Sequence, residues 1–149
     1  MVMKTEKLTI DLVFSTKKIV RLTEELKGKN LSDLYFKALN NSDIKSLATI
    51  ILVFGELEGK NPFNSDINKV YDFIDEYKKE NKKTYEDIYK EIAEVINEEG
   101  FFIKKMTKEE LMEKINNPLA SLDLEETIKN AANKVATDTM TDAFKGYQG

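Results

Sequence analysis

Leu8, Ile10, Leu12 and Phe14 alternate with Thr9, Asp11 and Val13, the period of two expected of a strand with one buried face. A lone strand leaves its backbone edges unpaired and needs a neighbour. Residues 2–6, the stretch Lys18 to Leu22, or a second copy of the chain are the three candidates. From Thr16 the period lengthens. Ile19, Leu22 and Leu26 recur at helical spacing and Gly28 follows as a stop, which predicts a helix from about Thr16 to Lys27. Asn30 or Ser32 is positioned to cap a second helix, whose stripe of Leu31, Leu34, Tyr35, Ala38 and Leu39 ends at Asn40-Asn41.

Ser42 is the expected cap of a third helix, in which Ile44, Leu47, Ala48, Ile51 and Phe54 make one face while Ile50, Leu52 and Val53 fill much of the rest. A helix apolar nearly all round is buried, so this one is expected at the centre of the core. The run from Glu58 to Asn64, with Gly59 and Pro62, reads as a loop and a subdomain break. Ser65 opens a helix carrying Ile67, Val70, Tyr71, Ile74 and Tyr77. After the polar break Lys78 to Lys83, another carries Tyr85, Ile88, Tyr89, Ile92, Val95 and Ile96, and the two are expected to pair antiparallel. Gly100 ends the second, and Phe101, Phe102 and Ile103 are placed to anchor the chain back on the core. Thr107 and Glu110 have capping-box spacing at the start of a short helix that stops near Asn117-Pro118. Leu122 to Phe144 has a weak stripe of Leu124, Ile128, Ala131, Ala132, Val135 and Ala136; alanine buries little area, so a helix there gains less from packing.

The pattern is that of a mainly α protein: a compact multi-helix domain with a short N-terminal β element over residues 1–120, and a weakly apolar C-terminal segment over 121–149. Composition agrees, with 41% hydrophobic and 34% charged residues but only two prolines and six glycines in 149. A net charge of −4 argues against a general nucleic-acid binder, which needs a basic surface. Residues 1–60 carry 10 Lys/Arg against 8 Asp/Glu, and residues 61–149 carry 13 against 19, so the acidity lies in the back half. The longest apolar run, Ile50 to Phe54, is too short to span a bilayer, and residues 1–16 lack the pattern of a signal peptide. The expected location is the cytoplasm, with no membrane partner.

Chemistry is sparse. With no histidine and no cysteine, Ser/His/Asp catalysis, thiol nucleophiles and thiolate metal sites are excluded. Asp72, Asp75 and Glu76 on one helix and Glu86, Asp87, Glu91 and Glu94 on the next lie mainly off the apolar stripes, where a solvated face is the ordinary outcome. The segment Gly55 to Gly59 lacks the lysine and the Ser/Thr of a phosphate loop, and Asp66 to Glu76 lacks the glycine and ligand spacing of an EF-hand. Tyr71, Tyr77, Tyr85 and Tyr89 sit among Ile and Val and read as packing groups. The expectation is a protein without catalytic, metal or cofactor-binding residues that works by binding another protein.

The order of a strand, then Phe14-Ser15-Thr16-Lys17-Lys18-Ile19-Val20-Arg21-Leu22-Thr23-Glu24-Glu25-Leu26, then Gly28-Lys29-Asn30-Leu31-Ser32-Asp33-Leu34, then Asp43-Ile44 leading into Leu47-Ala48-Thr49-Ile50-Ile51-Leu52, resembles the tail assembly chaperones of long-tailed phages and prophages of Gram-positive bacteria. The resemblance covers residues 7–57. It implies binding to the tape-measure protein and recruitment of tail-tube subunits in the host cytoplasm, with no place in the mature virion. It also implies that a longer frameshifted form often accompanies the short one. Leu34, Tyr35, Phe63, Phe101 and Phe102 are large apolar groups near element ends and are the nominated partner-contact residues. Two other readings stay open: a regulatory or antitoxin-like binding module, and an enzyme using clustered carboxylates and a metal. A homo-oligomer is a further expectation, from the strand edge.

Overall fold

The computed structural model describes residues 1–116; the C-terminal segment 121–149 and the stop at Pro118 lie outside the described residues. Strands β1 (Val2–Lys4) and β2 (Thr9–Leu12) lead into helices α1 (Thr16–Glu25), α2 (Leu31–Asn40) and α3 (Ile44–Phe54). A two-residue strand β3 (Gly55–Glu56) follows, then α4 (Ile67–Asn81), α5 (Tyr85–Glu98) and α6 (Lys108–Asn116). The chain is mainly α, with a small three-stranded sheet at its N-terminus.

The sheet order is β1-β2-β3, antiparallel throughout, with Met3 opposite Ile10 and Asp11 opposite Glu56. Of the three candidate neighbours of β2, residues 2–4 supply one, and β3, which sequence reasoning did not identify, supplies the other. β2 is thus paired on both sides, with β3 covering only its Asp11–Leu12 end. On β1 the register turns the backbone groups of Val2 and Lys4 away from β2. Part of that edge is covered by the end of α4: Asn81 Nδ2 donates to Lys4 O at 3.2 Å, and Glu80 accepts from Glu6 N at 2.7 Å.

α3 lies at the centre as expected, with Leu47, Ala48, Ile50, Ile51 and Phe54 fully buried. One hydrophobic core runs from Met3 to Ile115 and includes Phe63, so the 58–64 loop, pinned by Asn61 Nδ2 donating to Leu52 O at 2.8 Å, sits on a shared core. Two helix starts differ from expectation by one residue. Ser42 and Ser65 have positive φ (50° and 60°), whereas an N-cap needs extended backbone. Asp43 and Asp66 have it and accept from Ser46 N and Asn68 N. α4 makes its closest backbone approach to α3. α3 is apolar on nearly every side and offers more surface to bury than the amphipathic α5. α4 and α5 meet through side chains near their shared turn: Tyr77 and Lys83 both reach Glu91.

Candidate functional site

α1 is held rigidly. Ser15 caps it by accepting from Lys18 N, and Leu22 is fully buried. Lys18 folds its half-buried ammonium onto Val13 O, Phe54 O and the Glu56 carboxylate, tying helix, sheet and the end of α3 together. The connection to α2 passes Gly28, where a Cβ would stand 2.3 Å from Leu34 Cδ2; the absent side chain lets the loop close on Leu34. Asn30 then caps α2 by accepting from Asp33 N at 3.2 Å.

Against this frame lies the segment after α5. Gly100 turns the chain at φ 80°, Phe102 enters the core beside Phe36 and Tyr35 at ring separations of 5.2 and 5.8 Å, and Ile103 N donates to Ser32 Oγ at 3.3 Å. Asn97, 5% exposed, fixes the far end: its Nδ2 donates to Met106 O at 3.0 Å and its Oδ1 accepts from Met106 N at 2.8 Å. The reciprocal bonds of Thr107 and Glu110 start α6 as the sequence predicts.

Between α1 and this segment opens a groove of about 260 Å³, lined by Ile19, Val20, Thr23, Lys29, Phe101 and Ile103 among others. Its walls leave apolar groups in water: Val20 is 50% and Ile103 74% exposed, and Ile19 and Phe101 are half-buried. Lys29 lies in the lining, while Lys104 and Lys105, which follow Ile103, pair with Glu110 and Glu98 at 3.9 and 3.8 Å, so Lys29 is the charged group of the groove lining.

The nominated contact residues divide. Tyr35, Phe63 and Phe102 are 1%, 2% and 5% exposed and so cannot form a surface patch. Tyr35 points from α2 toward α5, where its hydroxyl donates to Tyr89 O, and Phe63 packs on Phe73 at 5.6 Å. Leu34 is half-buried against Gly28. Only Phe101 and the edge of Phe102 reach the groove. Val20 and Ile103, the most exposed apolar groups of the groove lining, were not among the nominated residues, although Val20 is legible as a surplus apolar position beside the Ile19, Leu22, Leu26 stripe. Of the acids weighed for catalysis, Asp87 is used in the Thr84 capping box, Glu91 pairs with Lys83 and Glu76 with Lys7. Among the described residues no group of three or more acids is placed to hold a metal, and no helix is long and apolar enough to cross a membrane.

The buried phenols make a pH prediction. Burial, then the neighbouring Tyr89, pushes the Tyr35 hydroxyl well above its ordinary range, and burial with the Asp43 charge does the same to Tyr89. Tyr77 is pushed up to about 12, by burial first and then by Glu91. An acid whose folded-state pKa is raised contributes stability that is complete below its unfolded value and is lost as pH rises through the folded one. Thermal melts are therefore expected to fall as pH climbs from 10 toward 12, and Tyr35→Phe flattens that decline.

Compared with protein-family models, curated proteins and solved structures, the chain matches none of them.

Proposed function

We propose that this protein is a chaperone of the tail-assembly type, which holds an amphipathic helix of a tape-measure-like partner across the groove between α1 and residues 101–103 and helps bring tail-tube subunits to it. The observation that carries this reading is the pair Val20 and Ile103, large aliphatic groups that both line the groove yet are 50% and 74% exposed, whereas most aromatic groups among the described residues are buried. A contiguous exposed apolar patch with a polar rim is the usual mark of a partner site. The groove is too small for a helix barrel ~10 Å across. It has room for one or two apolar side chains at helical spacing, the anchoring mode of a helix laid on a groove. Lys29 in the lining favours an acidic residue beside those anchors. The resemblance over residues 7–57 includes α1, one wall of this groove.

The test is co-expression with the neighbouring genes followed by pull-down. Recovery of a long, helical, tape-measure-like chain is expected; recovery of a single globular target instead would replace this reading with the regulatory one.

A further inference from the structure

A second cleft, of about 290 Å³, opens where the start of α3 meets α4 and the start of α5; Ile44, Tyr71, Ile74, Asp75 and Tyr85 line it. Ile74 is buried and Ile44 is 40% exposed, so the cleft has an aliphatic wall and floor. Helical spacing puts Tyr71, Asp75 and Lys78 on one face of α4. Two details give the cleft a chemistry. Asp75 is exposed and makes no ion pair among the described residues, although six such pairs form elsewhere. Lys78 Nζ stands 3.6 Å from the centroid of the Tyr85 ring, so that ring already presents its face to an ammonium ion. An ammonium at the face of a phenol ring is attracted by the ring quadrupole. The carboxylate supplies the countercharge, and the isoleucines accept the aliphatic stem that a long cationic side chain buries.

We propose that this cleft receives the ammonium end of a lysine-type side chain carried by the partner protein, which displaces Lys78 from Tyr85 and pairs with Asp75. The source is a protein side chain because the cleft lies at the small end of ligand pockets, which begin at roughly 300 Å³. A free amine gains too little there to offset its lost translational freedom. A side chain carried by a protein already bound elsewhere on the molecule loses that freedom only once. The inference thus rests on the protein-binding reading and adds a second, cationic contact to it.

The full chain, with isoleucine methyls labelled, is titrated with n-butylammonium, and with n-butanol as the neutral control. Ile44 and Ile74 methyl signals should shift and saturate with butylammonium only. Asp75→Asn should weaken that response about tenfold, near 1.4 kcal/mol, and Lys78→Gln should strengthen it. An equal response to butanol, or one that survives Asp75→Asn undiminished, overturns the proposal. Partner pull-down separates the two layers. Butylammonium binding with no partner captured overturns the protein-borne source in favour of a free amine, and a captured partner that binds Asp75→Asn with unchanged affinity overturns the cationic contact while leaving the groove intact.

Discussion

Phe54→Ala is expected to cost about 3–5 kcal/mol, the range for removing a buried phenyl ring and leaving its cavity. Phe54 is 0% exposed at the end of α3, and its ring sits 4.6 Å from that of Phe14, so the cavity would open between the central helix and the chain that links β2 to α1. The backbone ties survive, since Phe54 O would still accept from Val13 N at 2.9 Å and from Lys18; the loss is one of packing. Against a typical domain stability of about 5–15 kcal/mol, this removes a large fraction of the total. Urea melts check it: the midpoint should fall sharply, while Phe54→Leu costs less because volume is better conserved. Ile44→Ala, at the 40% exposed other end of the same helix, should change little. A small effect of Phe54→Ala would mean that α3 is not the centre of the core.

Asn97→Ala should have the second largest effect, and a more local one. It strands the N–H and C=O of Met106 together, at about 1–3 kcal/mol for a buried polar group left without its partner. Met106 is only half-buried, so water reaches part of the site and the total belongs nearer the low end, about 2 kcal/mol. The amide of Met106 should lose its hydrogen-exchange protection before the amides of α3 lose theirs, because the segment from Phe101 to Met106 opens by itself. Asn97→Asp keeps the acceptor for Met106 N but turns a carboxylate oxygen toward Met106 O, so it should not restore stability. Both variants loosen the Ile103 wall of the groove and should weaken partner binding more than their thermal shifts suggest.

Elements whose period is strong were legible before any coordinates: α3 from its all-round apolar surface, α5 from its Ile/Tyr stripe, and the Thr107–Glu110 box from spacing alone. The two-residue β3 left no periodic signal, because Gly55 and Glu56 follow a helix without a break and pair only through the fold. The serine caps failed for a local reason. Ser42 and Asp43 are both good capping residues, and the choice between them is made by which one the turn leaves extended. The candidate site was harder to read. Size and position near element ends selected Tyr35, Phe63 and Phe102, which the core consumes, whereas a contact surface is made of apolar groups that the core leaves over. Val20 is one such group. Asn97 gave no signal at all, since nothing in its neighbours along the chain marks a side chain that will bond both the N–H and the C=O of a residue nine positions away.

Affinity of the captured helical partner for the double variant Val20→Asp/Ile103→Asp, measured beside the parent protein, tests the groove most directly. Both side chains are at least half exposed, and substitutions at such positions usually change stability by about 0.5 kcal/mol or less, so the variant should melt with the parent. Placing two carboxylates at the centre of an apolar contact should weaken binding about 100-fold or more, the loss of at least one binding hot spot of ≥2 kcal/mol on either wall. A folded double variant that binds the partner as tightly as the parent would contradict the account, and would place the holding surface elsewhere on the molecule.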